Sequence, residues 1–423
     1  MTVLARNLSQ ATGLFPRRIA FAHGDRTLSY EATETIVEEV AAGLARRGVE
    51  PGQLVALVLP SGLELAVLYL AIARLGAATS ALRPRLTAEE RTRVLARARP
   101  DHVIAVPQLS EGLQGHQVLH IAVGSEPAQM LQAIRHHTGC PRLAAYDPST
   151  VETVVFTAGA TGLPKGAVFT SAQIAANMDI EGPGTWGRGN AQVVATSMAH
   201  VDFMTKLAGH LKHGSTMHLL THWRAPDALR LISEHEVPHV RGIATQISLM
   251  LHCPEFDSLD LSHVQGLVVG GGPSSEALVR EARERFGADY SVRYSSTESG
   301  GVGTLTHFDA PDSETFTSVG RPRPGIDLVI RDPETNEDRL TGEVGRICLR
   351  SPAVMDRYWN DAESTAAALD PDGWLRTDDL GWLGDDGCLR IAGRVADDFR
   401  RSGFGTIPFD ADSLHFAGGV GAR

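Results

Sequence analysis

A chain of 423 residues exceeds what one hydrophobic core organises and calls for at least two domains or subdomains. Its make-up, 43% hydrophobic and 21% charged with 43 glycines and 22 prolines, is that of a soluble globular protein rich in tight turns. A net charge of −11 with no basic tract excludes a general nucleic-acid binder, and four scattered cysteines (Cys140, Cys253, Cys348, Cys388) without a CxxC pair offer no disulfide or metal framework and fit a reducing cytoplasm.

The start, MTVLARNLSQATGLFPRR, has no sustained apolar core and does not read as a signal peptide. RTLSY predicts a short strand, and apolar residues at helical spacing predict a helix from Ala32 to Arg46. VALVLP follows as a continuous apolar strand. The longest apolar stretch, LELAVLYLAIARLGAA from Leu63, is interrupted by Glu64 and Arg74 and is too short to span a bilayer, so it predicts a buried helix over Glu64 to Leu75. A helix around Ala88 to Arg97 and the strand HVIAV continue the alternation, which implies parallel pairing with right-handed crossovers. The same rhythm returns in ALRLISEHEVPHVRGIA, VQGLVVGGG and the helix SSEALVREARERFG. From about Thr315 strand-like pieces (IDLVIRD, EVGRICLR, GCLRIAG) alternate with turn-rich segments, which predicts an antiparallel β subdomain.

Between these parts lies TVVFTAGATGLPKGAVFT, from Thr153 to Thr170: a strand, a small-residue loop and one lysine. Backbone N–H groups of such a loop can converge on phosphate oxygens, with threonine hydroxyls as further donors and lysine as a point charge. The Walker A pattern is not met, since Pro164 stands where its second glycine belongs and Gly166 follows Lys165. Taken alone, the segment reads equally well as a tight turn with a solvated lysine.

Five further segments follow it in order: VVGGGP (Val268 to Pro273), VRYSSTESG (Val292 to Gly300), GEVGRICLRSPAVMDRYWND (Gly342 to Asp361), GWLRTDDLGWL (Gly373 to Leu383) and IAGRVADDFRRSG (Ile391 to Gly403). In order and spacing the set resembles the motifs of the adenylate-forming superfamily of acyl-CoA synthetases, peptide-synthetase adenylation domains and luciferases. The resemblance runs over nearly the whole chain. It implies an α/β fold: a large N-terminal AMP-binding domain over residues 1–393, made of two βαβ-type layered subdomains plus a small antiparallel β subdomain at about 315–393. Residues 394–423 would then be a hinge and the remnant of a C-terminal domain.

The resemblance also implies a reaction. A carboxylate attacks the α-phosphorus of ATP, pyrophosphate leaves, and the acyl-adenylate passes its acyl group to a thiol, either coenzyme A or a carrier protein's phosphopantetheine. By family position, Thr157, Gly159, Thr161, Gly162 and Lys165 belong to the phosphate loop, and Gly270, Gly271 and Gly272 to the turn beside adenine. Tyr294 would pack on adenine with Ser295 following it, Thr297 and Glu298 form the TE pair with Glu298 holding Mg²⁺, Asp379 would bind the ribose hydroxyls and Arg394 would lie near the ribose and hinge. His200, in SMAHVDF, falls where the family lines its acyl pocket, the alternative being a packed histidine bonded to backbone. Outside this company Glu298 would be a helix N-terminal carboxylate and Asp379 a turn aspartate. The histidines His210, His213, His218 and His222 fit no zinc spacing and read as packed or surface residues.

Departures from the family pattern gather at the nucleotide site: Ala158 and Ala160 replace loop hydroxyls, Ser295 and Asp378 replace glycines, and Ala396 stands at the hinge. The chain ends at Arg423, shortly after Arg394, so the family's C-terminal lysine has no counterpart, which predicts slow turnover by the chain alone or completion by a separate protein carrying that domain. Three readings stay open: an ATP-dependent acid–thiol ligase of the cytoplasm, with an acyl carrier protein or a separate C-terminal-domain protein as candidate partner; the same fold with ATP-independent acyl transfer or condensation; and a non-catalytic acyl-binding partner protein. The presence together of Lys165, Thr297, Glu298, Asp379 and Arg394 at the family's positions favours the first. Since GTWGRGNAQ, SMAHVDF and RGIATQI show no amino-acid anchor, the expected substrate is a simple acyl or aryl acid.

Overall fold

The structure is a computed structural model that describes residues 1–141, 145–157, 164–185 and 190–394. Gly159, Thr161 and Gly162, with Ala158, Ala160 and Ala396 of the expected hinge, lie outside the described residues.

A seven-stranded mixed sheet forms the first core, in the order Arg357–Tyr358, Lys165–Thr170, Val151–Thr157, Ala78–Ala81, Leu54–Val58, His102–Ala105, Val118–His120. Its centre is parallel, and every residue of Leu54–Val58 is buried, as a strand covered on both faces requires. The helix Leu63–Arg74 is buried along all of its length but the last residue. The two charges that interrupt its apolar run are both paired: Glu64 lies 2.7 Å from Arg26, and Arg74 lies 3.0 Å from Glu34 and 2.5 Å from Glu38. No helix among the described residues is long and apolar enough to cross a membrane.

A second mixed sheet sets His239–Gly242, Gly266–Val269 and Asp289–Tyr294 in parallel and adds Thr304–Leu305 and Arg321–Pro322 antiparallel. Helices Ala225–Glu234, Ala244–Leu251 and Glu276–Phe286 contribute Leu229, Ile247 and Val279 to its core. Sequence patterning sets the limits of the last helix: the Ser275 hydroxyl accepts from Leu278 N at 3.3 Å, and Gly287 closes it with φ +63°. A third mixed sheet, not foreseen from the sequence, joins the hairpin of Ile19–His23 and Arg26–Ser29 to Thr216–Leu219 and Ala191–Val194. The expected antiparallel sheet is the fourth, in the order Asp327–Arg331, Gly345–Arg350, Leu375–Leu383, Leu389–Arg394. The chain leaves this sheet once, when Arg357 and Tyr358 return to pair with Val168 and Ala167 of the first. That crossing brings the first, second and fourth sheets to one place.

Candidate active site

Two cavities meet where the strand Asp289–Tyr294 ends. The first, about 420 Å³, is lined by Thr157 and Lys165 from the first sheet, Ser295 to Glu298 from the second, and Asp378, Asp379 and Arg394 from the fourth. The second, about 370 Å³, is lined by His200, Asp202, Lys206, Gly270 and Gly271 among others. Ser295, Ser296 and Thr297 border both, so one wall serves two chambers. Sites at the carboxyl ends of parallel strands are the expected location in such sheets.

The segment after Tyr294 is held firmly. Ser296 N donates to Ser299 Oγ at 2.9 Å, Ser299 N donates to Ser296 Oγ at 3.0 Å, and Gly300 N donates to Thr297 O at 3.0 Å. Gly300 has φ +74°, and a Cβ there would lie 2.5 Å from the Ala353 carbonyl oxygen, so only glycine fits. Met355 N donates to the backbone oxygen of Glu298 at 2.8 Å, and Tyr358 Oη donates to its Oε1 at 2.9 Å. Lys165 Nζ stands 5.3 Å from the centre of the Tyr358 ring. Tyr358 thus connects the carboxylate of Glu298 with the ammonium of Lys165. Burial, followed by the charge of Glu298, pushes the Tyr358 phenol far above its ordinary range, so it stays a donor.

Asp379 is oriented from two sides. Tyr294 Oη donates to Oδ2 at 2.8 Å and Arg394 Nε donates to Oδ1 at 3.2 Å, the latter across a ladder where the two residues stand opposite. Each oxygen keeps a lone pair for a further donor. Tyr294 is 9% exposed, with its hydroxyl given to Asp379, and like Gly272 it is not among the residues lining either cavity. Gly270 and Gly271 line the second cavity: a Cβ on Gly270 would press on the Arg293 carbonyl oxygen at 3.2 Å, and Gly271 takes φ +74°. The exposed Asp378 also faces the first cavity, so the extra carboxylate noted in the sequence is part of its wall.

His200 lines the second cavity and also bonds to backbone, its Nδ1 accepting from Asp202 N at 3.3 Å to cap the short helix Val201–Met204. Of the four flagged histidines, His218 stacks on His235 at 3.8 Å with burial lowering it to about 4, and no metal-holding group of three or more His, Cys, Asp or Glu occurs among the described residues. Sequence reasoning missed Tyr358, Arg346, Lys206, Arg241 and Arg293, all of which line a cavity. Tyr358 lay inside a quoted motif, so its position was readable. Arg241, Arg293 and Arg346 also lay inside quoted segments, but their place at a cavity wall was not readable, because lysine and arginine in amphipathic surroundings read as surface.

The AMP-binding enzyme family model matches residues 8–359. A 4-coumarate–CoA ligase of Pinus taeda is 28% identical over 92% of this chain and 76% of its own length. A 3-[(3aS,4S,7aS)-7a-methyl-1,5-dioxo-octahydro-1H-inden-4-yl]propanoyl:CoA ligase of Mycobacterium tuberculosis is also 28% identical, over 94% of this chain and 80% of its own. Among solved structures, the N-terminal domain of FACL13 from Mycobacterium tuberculosis superposes with TM-score 0.83 at 24% identity, covering 93% of this chain and all of that one. An O-succinylbenzoate coenzyme A synthetase of Bacillus subtilis, solved with AMP, gives TM-score 0.81 at 23% identity over 92% and 79% of the two chains. These structures share the fold, and the family match over most of the sequence places the chain: it belongs to the AMP-binding enzyme family.

Proposed function

We propose that this AMP-forming acid–thiol ligase activates a small or medium carboxylic acid with ATP and transfers the acyl group to the thiol of coenzyme A. The observation that carries the reading is the shared wall: Ser295 to Thr297 separate a polar cavity holding Glu298, Lys165 and Asp379 from a second one of a size suited to a small molecule. In the first, the doubly oriented Asp379 is placed to accept from a pair of ribose hydroxyls, while Thr157 and Lys165 offer a donor and a cation to phosphate. In the second lies the acyl part, with its carboxylate at the shared wall.

Two displacements complete the reaction. A carboxylate oxygen attacks the α-phosphorus and the bond to pyrophosphate breaks; the thiol sulfur then attacks the acyl carbon and AMP leaves with the bridging oxygen. Mg²⁺ fits the residues present, because the Glu298 carboxylate beside the hydroxyls of Ser295, Ser296 and Thr297 suits a hard cation that keeps waters and phosphate oxygens as its other ligands, whereas an all-protein cage has no basis among the described residues. Glu298 would hold it, and when bound it supplies neutralisation of developing phosphate charge. The names of the relatives support coenzyme A as acceptor over a carrier protein. A cytoplasmic setting is part of the proposal, supported by four free thiols, and so is the division into a large domain over residues 1–393 and a following segment. The gathering of Lys165, Thr297, Glu298, Asp379 and Arg394 at one cavity favours this reading over ATP-independent acyl transfer.

Incubation of the purified chain with ATP, Mg²⁺ and a panel of carboxylic acids tests it. AMP and pyrophosphate should form together with at least one acid, and a thioester should follow when coenzyme A is added. Acyl transfer at equal rate without ATP would overturn the proposal.

A further inference from the structure

The family position of Tyr294 implies a ring packed on adenine, but that ring is committed elsewhere. Tyr294 ends the strand Asp289–Tyr294 of the second sheet and is 9% exposed. It shares a hydrophobic core with Ile330, Ile347, Leu349 and Leu389 of the fourth sheet and lines neither cavity. Its hydroxyl meets the first cavity only through Asp379, to whose Oδ2 it donates at 2.8 Å. Burial first, then the charge of Asp379, raises this phenol well above its ordinary range, so it keeps the proton that it donates.

Asp379 needs such a hold, because the ladder around it does not aim its side chain. Leu380 stands opposite Arg346 and Arg376 opposite Cys348, so Thr377, Asp378 and Asp379 face Ile347 alone across the strand pair. On the other edge the register slips again between Leu380 and Gly381. Bulges of this kind re-aim side chains beside active sites. The bulge is pinned by Thr377, whose hydroxyl donates to Ile347 O at 2.8 Å and accepts from Asp379 N at 3.2 Å. The carboxylate itself is left to Tyr294 and Arg394. The Arg394 side chain is 60% exposed, where water competes for the ion pair, whereas the Tyr294 bond starts from a packed ring. A rigid donor on one oxygen fixes the directions left for further donors, and two adjacent hydroxyls need that.

We propose that Tyr294 is the positioning residue for sugar recognition. Its hydroxyl fixes the Asp379 carboxylate to accept from both hydroxyls of a ribose, so the cavity selects ribonucleotides over 2′-deoxyribonucleotides. The inference rests on the reading of the first cavity as the nucleotide site. It assigns the Tyr294 hydroxyl to the sugar in place of a ring laid on the base. The competing use is a bond that only ties the second sheet to the fourth.

Tyr294→Phe removes the hydroxyl and keeps the ring in its core. Pyrophosphate release with ATP and with 2′-deoxyATP, and equilibrium binding of AMP and 2′-deoxyAMP, are measured together with unfolding midpoints. The chains compared are the native one, Tyr294→Phe, Asp379→Asn and the double variant. In Tyr294→Phe the KM for ATP should rise about fivefold with kcat nearly unchanged, and the preference for ATP over 2′-deoxyATP should fall about fivefold or more. In the Asp379→Asn background the same substitution should change that preference by less than about twofold, because the hydroxyl acts through Asp379. A preference kept in Tyr294→Phe, whatever happens to KM or the midpoint, would overturn the inference. So would a fall of equal size in the Asp379→Asn background. Equal use of ATP and 2′-deoxyATP by the native chain would overturn it without any variant. Binding of AMP over 2′-deoxyAMP that weakens in Tyr294→Phe, with no pyrophosphate from any acid, would uphold the inference and remove the acid-activation reading. A folded native chain that binds neither ATP nor AMP would overturn both.

Discussion

Glu298 is bonded through its backbone oxygen to Met355 and through its carboxylate to Tyr358, so its position is fixed while one face stays open to the cavity. Glu298→Gln keeps that shape and the hydrogen bond but removes the charge that would hold Mg²⁺. AMP formation at saturating acid and ATP should fall by about 100-fold or more, as for loss of one preorganised charge-stabilising group; an unchanged rate would take Glu298 out of the reaction. Tyr358 acts through Glu298 and is a positioning residue. A hydrogen bond to a charged group contributes about 1.5–3 kcal/mol, so Tyr358→Phe should lower AMP formation roughly tenfold and raise the Mg²⁺ concentration for half-maximal rate. A loss of rate with the Mg²⁺ dependence unmoved would assign Tyr358 to packing alone. These two residues also show how far the sequence could be read. The TE pair was legible because its neighbours form a recognisable ordered set, whereas the link from Tyr358 to Glu298 arises only when a two-residue strand, too short for any periodicity, pairs with Lys165–Thr170.

At the level of elements, the N-terminal helix Val3–Leu14 is tied to the first sheet by one buried carboxylate. Glu152, on the strand Val151–Thr157, accepts from Val3 N at 2.6 Å and Leu4 N at 3.2 Å and from the Ser171 hydroxyl. Burial is the largest influence on it and raises it to about 7, from an ordinary 4.5. Between those values the folded chain keeps a proton that the unfolded chain has released. Its contribution to stability is therefore full below about pH 4.5 and is lost as pH rises through about 7. A shift of this size corresponds to on the order of 3 kcal/mol. Unfolding midpoints of the native chain and Glu152→Gln, measured from pH 4.5 to 8, should show a gap that changes in favour of the variant as pH rises; a constant gap would contradict the assignment. The main strands and helices were legible because Leu54–Val58 and Leu63–Arg74 are apolar throughout, and the two charges in the helix are matched by Arg26, Glu34 and Glu38 far along the chain. The third mixed sheet was not, since its strands are brought together from residues 19–29 and 191–219 by long-range pairing that no local pattern encodes.

Across the whole molecule, three sheets deliver one strand end or edge each to the same cavity, and that convergence is what a carboxylate, a nucleotide and a cation need in order to react. The fold class was readable from the alternation of elements and from the ordered motifs, and the family match agrees with it. The charge along the second cavity was not readable, because Lys206 and Arg241 look like solvated residues until the fold brings them to its wall. The most direct measurement follows the oxygen. With an acid labelled with ¹⁸O in its carboxylate, ATP, Mg²⁺ and coenzyme A, attack at the α-phosphorus predicts that the AMP released carries one ¹⁸O atom and the pyrophosphate none. Unlabelled AMP, or label in inorganic phosphate with ADP as product, would contradict acyl-adenylate formation.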